Sequence, residues 1–221
     1  MSYVDILFAH RPDKSVPMEE IVRAFNFCID QGKAHYWATS EWTARQIEEA
    51  HHVASRLHLI APIAEQCQYN CFHRQRFEVE YAPLYQKYKY GTTVFSALSS
   101  GMLTGKYNNG VPKGSRFDVN PAFFKSRVES LQQEEGLKQI EKVKAMTEIA
   151  KELDCSVAAL SLAWVAHNPH TSTVILGATK VHQLEENLKA LDVLPKITHD
   201  IYKRINEILD NEPTAEPDYG R

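Results

Sequence analysis

The sequence lacks several features that would assign it to a common class of protein. It contains no run of 18 or more apolar residues, so no segment is expected to span a membrane. Its start has neither basic residues nor an apolar stretch typical of a signal peptide, so a cytoplasmic protein is expected. Only 4 cysteines occur, none in a CxxC pair, so neither a zinc site nor a disulfide framework is predicted. The net charge of -3 gives no basic surface for nucleic acid.

The composition is that of a folded domain. Hydrophobic residues make up 43% and charged residues 24% of the 221 residues, a balance that suits a globular protein with a sizeable core. No linker or low-complexity stretch divides the chain, so residues 1–221 are predicted to form a single domain. The tail over residues 211–221, with its prolines and acids, is expected to be loosely ordered.

Short apolar runs alternate with segments of helical periodicity. The runs predicted as strands are residues 3–9, 34–39, 63–67, 92–95 and 173–176. Helices are predicted after Pro17, over residues 78–88 and over residues 137–153, and a long glycine-containing loop over residues 101–114. The residues predicted to cap further helices are Thr43, Ser156, Thr179 and Thr198. The result is a βα unit repeated five times, with one extra helix before the last strand and another at the end.

Two architectures fit this order. Apolar strands joined by helices indicate a parallel sheet covered on both faces, which is found in open doubly wound sheets and in barrels. A doubly wound dinucleotide-binding sheet carries GxGxxG after its first strand, and the motif is absent. This absence favours part of a barrel, in which phosphate is bound by the loops after the last strands and by a helix N-terminus. A closed eight-stranded barrel usually needs ~250 residues, more than this chain has.

Five motifs follow one another in a fixed order. They are YVDILFAHRPD at 3–13, YWATS at 36–40, EQCQY at 65–69, FSALSSG at 95–101 with GKY at 105–107, and ILGAT at 175–179 with QLEEN at 183–187. They resemble strands four to eight of the aldo-keto reductases. The Tyr-Trp and Gly-Lys-Tyr motifs and the ending Asp218-Tyr219 resemble the voltage-gated potassium channel β-subunit branch. The resemblance implies an α/β fold, a partial (β/α)8 TIM barrel that is N-terminally truncated by three βα units.

The resemblance implies binding of NADPH, and the residue types suit it. Phe95 can stack on a nicotinamide ring, while Ser40 and Gln66 can hydrogen-bond its carboxamide. The residues implied to contact the phosphates and the adenosine are Ser96, Leu98, Ser100, Lys106, Arg116, Gly177, Thr179, Gln183, Glu186 and Asn187. The loop amides at 96–100 can face an anion, and the helix start at Thr179-Lys180 suits a 2′-phosphate.

Each of these assignments has a simpler alternative. Ser40 and Gln66 would serve equally well as ordinary strand-end hydrogen-bonding residues, and Lys106 and Arg116 as solvated charges. Without the resemblance, the side chains at 183–187 would be taken for an ordinary polar helix face. Two positions depart from the family pattern: Glu41 stands where asparagine or arginine is usual, and Ala97 replaces a usual proline.

His10 follows the first predicted strand and is the candidate catalytic residue. The resemblance implies that it donates a hydrogen bond to a substrate carbonyl beside a tyrosine acid, although a strand-end histidine is more often a packing residue. Animal channel subunits usually carry asparagine there, whereas active reductases carry histidine. The family's catalytic aspartate, tyrosine and lysine come from strands one to three, which have no counterpart in this sequence.

The sequence is compatible with two functions. The first is NADPH-dependent reduction of a small aldehyde or ketone to an alcohol, impaired by the missing strands. The second is a non-catalytic regulatory β-subunit that binds NADPH and docks on a potassium channel α-subunit. A third alternative is a non-functional truncation product. Because the two end strands would be exposed apolar edges, association into a homo-oligomer is also expected.

Overall fold

The computed structural model describes residues 1–215. The Asp218-Tyr219 motif and the end of the tail that was predicted to be loose lie outside the described residues. Among residues 1–215, no helix is long and apolar enough to cross a membrane.

A single parallel sheet organises the chain. Its strands are β1 (Val4–Ala9), β2 (Ala34–Ser40), β3 (Ala64–Gln66), β4 (Gly91–Val94) and β5 (Thr173–Val174). They lie in the order β1-β2-β3-β4-β5, each parallel to the next. A doubly wound sheet reverses its strand order at a switch point, whereas a (β/α)8 barrel adds strands in sequence. The observed order therefore agrees with part of a barrel.

Ten α-helices connect or follow these strands in the described chain. They are α1 (Met18–Asp30), α2 (Ala44–Leu57), α3 (Ala82–Tyr88), α4 (Arg116–Val119), α5 (Pro121–Ser130), α6 (Glu134–Glu152), α7 (Val157–His167), α8 (Val181–Leu188), α9 (Ala190–Val193) and α10 (His199–Leu209). A π-helical turn at Arg76–Glu80 precedes α3, and short 3-10 turns occur at Ser99–Thr104 and Leu194–Lys196.

Three of the four predicted helix caps are confirmed. Thr43 forms a complete capping box with Gln46 at the start of α2. Ser156 accepts the amide of Ala159, and Thr198 accepts the amide of Ile201. The prediction for Thr179 is wrong, because α8 starts one residue later, with Lys180 in the cap position and no side-chain cap.

The connection between β4 and β5 contains more helices than the sequence predicted. It contains four helices, α4 to α7, where the sequence predicted two. Helix α4 has only 4 residues, too few to show a periodic pattern, and of the two adjacent phenylalanines of α5 only Phe124 is buried, whereas Phe123 is exposed. Local patterns therefore could not reveal these helices.

Two apolar clusters hold the structure together. The large one packs the helices on the sheet through fully buried rings such as Trp37, Trp42 and Trp164, and Phe25 of α1 stacks on Trp37 with ring centroids 4.9 Å apart. The smaller cluster lies in the segment after β4 and consists of Met102, Tyr107, Phe117, Phe124, Leu131 and Ile140. It gives the long β4–β5 connection a core of its own.

The sheet is open at both ends. Within the described residues, β1 and β5 each have a neighbouring strand on one side only. Four side chains of β1, those of Val4, Ile6, Leu7 and Phe8, are only half-buried. The prediction of apolar edge strands is therefore confirmed for the described chain.

Candidate functional site

The residues selected from strand ends meet at one edge of the sheet. His10 directly follows β1, while Ser40 and Gln66 are the last residues of β2 and β3. Phe95 directly follows β4, and Gly177 lies shortly after β5. Because parallel strands end on the same side, all five positions lie at the carboxyl edge, where barrel enzymes bind their ligands.

Ser40 and Gln66 form the centre of this edge. The two residues pair in register, and the Ser40 hydroxyl donates to the Gln66 main-chain oxygen over 2.9 Å. The same Ser40 oxygen accepts a hydrogen bond from Arg11 Nη1 at 3.0 Å. Sequence reasoning did not identify Arg11, which the turn after His10 brings to this position. Ser40 is only 2% exposed, so its hydroxyl is held in a fixed orientation.

Phe95 is held at the sheet edge by its main chain. Its amide donates to Cys67 O at 3.0 Å, and its carbonyl accepts from the Tyr69 amide at 3.3 Å. The ring is half-buried, so part of it is accessible for stacking. His10 is exposed, and its carbonyl oxygen accepts a hydrogen bond from Arg11.

The segment after Phe95 has an unusual backbone. Ser96, Ser99 and Ser100 have φ of 56°, 47° and 57°, and Gly101 has φ of 97°. Left-handed conformations at serine carry strain and cluster at ligand-binding sites. The amides of Ser99 and Gly101 donate within the turn, to Ser96 O and Leu98 O at 2.8 Å each. These turn bonds do not use the amides of Leu98 and Ser100, which were selected as anion-binding groups.

Lys106 and Arg116 lie near each other beyond this turn. Partial burial and then the charge of Arg116 lower the pKa of Lys106 below its ordinary value. The Lys106 ammonium lies 5.0 Å from the Tyr107 ring centroid, and the Arg116 guanidinium lies 5.1 Å from that of Phe124. Among residues 1–215, neither cation pairs with a carboxylate, so the two form a site of positive charge that suits an anion.

Lys106 is also packed closely against the strained turn. A Cβ added to Gly101 would lie 2.8 Å from both Cε and Nζ of Lys106. Only glycine therefore allows the ammonium to approach the turn this closely. The turn and Lys106 together make one positively charged surface.

The start of α8 differs from the expected arrangement. The side-chain oxygen of Gln183 accepts a hydrogen bond from the Thr179 amide at 2.9 Å and lies 3.2 Å from the Thr179 hydroxyl. Hydrogen bonds from Lys189 and then Ser156 lower the pKa of Glu186, and Lys189 Nζ lies 2.7 Å from its carboxylate. Asn187 is buried, at 6% exposed. Gln183 and Glu186 therefore already have partners within the protein and Asn187 is buried, whereas Gly177 is exposed.

Glu41, which departs from the family pattern, has a structural partner. Its carboxylate accepts from the Gln68 amide at 2.7 Å and from Arg76 Nη1 at 3.1 Å. Arg76 also approaches Glu80 at 3.4 Å. Arg76 therefore neutralises the negative charge that Glu41 introduces beside the Ser40–Gln66 pair.

Comparisons with known proteins agree with this geometry. A "Putative voltage-gated potassium channel subunit beta" of Schizosaccharomyces pombe (strain 972 / ATCC 24843) is 50% identical over 213 residues, which are 96% of this chain and 61% of that protein. A "Probable voltage-gated potassium channel subunit beta" of Oryza sativa subsp. japonica is 46% identical over 220 residues, which cover 99% of this chain and 66% of the relative. The Arabidopsis thaliana protein of the same description is 45% identical over 220 residues, with the same coverage.

The chain spans between 61% and 66% of the length of these relatives. The family model described as the aldo/keto reductase family matches residues 1–210, almost the whole chain. The sequential parallel strand order and the polar residues at the carboxyl ends of the strands are those of such a barrel. The chain therefore belongs to the aldo/keto reductase family.

Proposed function

We propose that this chain forms the NADPH-binding part of an aldo-keto reductase barrel, with β1 to β5 as strands four to eight and residues 1–221 in a single domain. In the whole protein, the proposed activity is NADPH-dependent reduction of aldehydes or ketones to alcohols. The observation that carries the proposal is the Lys106–Arg116 pair of cations beside the strained turn 96–101, on the same sheet edge as Ser40 and Phe95.

The phosphate end of the site fits a phosphorylated dinucleotide. Two cations without a carboxylate partner among residues 1–215 favour a ligand with a concentrated negative charge, such as a 2′-phosphate. The turn 96–101 offers main-chain amides at Leu98 and Ser100 for a diphosphate. The exposed Gly177 leaves open space in front of α8, since a Cβ there would meet no atom within 4 Å.

The other end of the site fits a nicotinamide. Phe95 supplies a ring for stacking, and the Gln66 side chain supplies groups for the carboxamide. The Ser40 hydroxyl, which donates to Gln66 O and accepts from Arg11, keeps one acceptor lone pair for the carboxamide N–H. When bound, NADPH would supply a hydride. The proposed role of this chain is to orient the nicotinamide ring at the carboxyl edge and to place His10 at the carbonyl oxygen of the substrate.

His10 fits the role of a hydrogen-bond donor to that oxygen. It is exposed at the end of β1, on the same edge as the groups proposed for the nicotinamide. A proton must still reach the oxygen, and in the family a tyrosine acid with a lysine and an aspartate does this. We propose that full activity requires those residues in addition to the ones in this chain.

Cofactor titration tests the proposal. Nicotinamide fluorescence should show tighter binding of NADPH than of NADH, because only NADPH carries the 2′-phosphate. In the Lys106→Met variant, the affinity for NADPH should fall by about tenfold or more, the value of one charge-assisted hydrogen bond, with little change for NADH.

The matched control is Lys113→Met, which removes an exposed lysine from the same connection. Its two affinities should equal those of the unaltered chain. Equal binding of NADPH and NADH by the unaltered chain would remove the role proposed for Lys106 and Arg116.

A regulatory role is the second candidate. The observation that favours it is that three relatives, each at least 45% identical, are described as potassium channel β-subunits. In this function the chain binds NADPH and docks on the cytoplasmic part of a channel α-subunit, with slow turnover or none. Co-purification with such a segment, compared in the presence and absence of NADPH, tests this candidate. Failure to co-purify under both conditions would contradict it.

A further inference from the structure

Arg127 of α5 contacts the strained turn directly. Its Nη2 atom donates to the Ser99 hydroxyl over 3.2 Å, a contact between positions 28 residues apart in the chain. The side chain is half-buried, and the Ser130 hydroxyl donates to the Arg127 carbonyl at 2.7 Å. The Ser130 bond satisfies a main-chain oxygen in the last turn of α5, and from the same turn the guanidinium reaches Ser99.

The smaller apolar cluster places α5 against this turn. Phe124, one helical turn before Arg127, is buried and packs on Phe117, with ring centroids 5.0 Å apart. Met102, which directly follows the turn 96–101, belongs to the same cluster. The position of Arg127 therefore depends on well-packed residues on both sides of the contact.

The charge of Arg127 is not used by an acidic neighbour. Among residues 1–215 it forms no ion pair with a carboxylate, whereas Lys125 on the same helix lies 4.0 Å from Glu129. A guanidinium has five N–H donors, and the contact with Ser99 uses one of them. The remaining donors lie beside a turn whose amides at Leu98 and Ser100 are not taken by its own hydrogen bonds.

We propose that Arg127 is a third anion-binding cation of this site and that it serves the diphosphate of the cofactor, whereas Lys106 and Arg116 serve the 2′-phosphate. The assignment rests on the proposed function. Arg127 donates a hydrogen bond to Ser99 inside the turn, whereas Lys106 approaches only the end of the turn, at Gly101, and Arg116 lies beside Phe124. The diphosphate is common to NADPH and NADH, so the two classes of cation have different consequences for the two nucleotides.

Titration of both nucleotides by nicotinamide fluorescence tests the assignment, with the full chain and three variants. Arg127→Gln keeps a side-chain N–H for Ser99 but removes the charge. It should lower the affinities for NADPH and NADH by the same factor, about tenfold. Arg127→Lys keeps the charge and should bind both nucleotides more tightly than Arg127→Gln does. Lys125→Met, the matched control on the same helix, should leave both affinities unchanged.

Three outcomes would overturn the assignment. Unchanged affinities in Arg127→Gln would show that the charge of Arg127 does not contribute to binding. A lower affinity for NADPH alone would assign Arg127 to the 2′-phosphate. Equal weakening in Arg127→Gln and Arg127→Lys would mean that Arg127 only supports the turn. If the unaltered chain binds neither nucleotide, the proposed function itself fails.

Discussion

Replacing Arg74 by methionine is expected to destabilise the protein strongly. The Arg74 side chain is 1% exposed, and its Nε and Nη2 atoms donate to the two oxygens of Glu78 at 2.8 and 2.9 Å. Its Nη1 donates to Asn206 and Asn211 at 3.2 Å each, which ties the segment after β3 to the end of α10. Methionine would leave the Glu78 carboxylate, 15% exposed, with only the Tyr69 hydroxyl as a partner.

The cost follows from leaving a poorly hydrated carboxylate without its cation. Removing one partner of a buried ion pair typically costs about 3–5 kcal/mol in the free energy of unfolding. A single domain of this size loses roughly 2–4 °C of melting temperature per kcal/mol, so the shift should be readily measurable.

Arg204→Met is the matched control for this measurement. Arg204 also binds a carboxylate through two nitrogens, at 2.7 and 2.8 Å from Glu152, but the two side chains are 37% and 51% exposed. Its loss should cost about 0–1 kcal/mol. Urea unfolding of both variants under identical conditions provides the comparison. Equal losses in the two variants would refute the argument that burial decides the value of the Arg74 contact.

Three further expectations concern titration, activity and association. Burial raises the pKa of Glu65 to about 8, so the folded state holds a proton that the unfolded state has released. The free energy of unfolding should therefore fall by up to about 1.4 kcal/mol per pH unit as the pH rises from 6.5 to 8. A Glu65→Gln variant whose free energy of unfolding fell equally steeply would contradict this. The 221-residue chain alone should not oxidise NADPH with a reactive aldehyde in stopped-flow absorbance, since general acid catalysis worth ~10²–10⁴-fold is missing; turnover typical of the family would contradict this. The same chain alone should self-associate through β1 and β5 in size-exclusion chromatography, unless the first three βα units are supplied in trans; a monodisperse monomer with a sharp melt would show that the open edges are harmless.

The strands and most caps could be predicted from the sequence because both depend on neighbouring residues. Thr43 and Gln46 carry a capping box within four positions, and the structure forms it. Thr179 was misassigned because a side chain of the helix itself binds the residue that was expected to cap it. The Gln183 side-chain oxygen accepts a hydrogen bond from the Thr179 amide and lies close to the Thr179 hydroxyl, and helix α8 begins after Lys180.

The candidate site was predictable where strand ends define it and not where tertiary contacts do. Ser40 and Gln66 were found because parallel strands bring their carboxyl ends together. Arg11 and Arg127 were not found, because each acts on a residue 28 or 29 positions away. Arg127 lies on α5, in which only one of the adjacent residues Phe123 and Phe124 is buried, so no periodic pattern could place Arg127 near the turn.

The spacing of paired strands has a consequence for how the chain folds. Ser40 and Gln66, which join β2 to β3, are 26 residues apart, whereas Thr92 and Ser172, which join β4 to β5, are 80 residues apart. Closing the longer loop costs roughly 1 kcal/mol more chain entropy, so the first four strands can assemble while β5 is still unattached. The connection that carries Lys106, Arg116 and Arg127 would then close last, and lengthening or shortening it during evolution would leave the pairing of the first four strands unchanged.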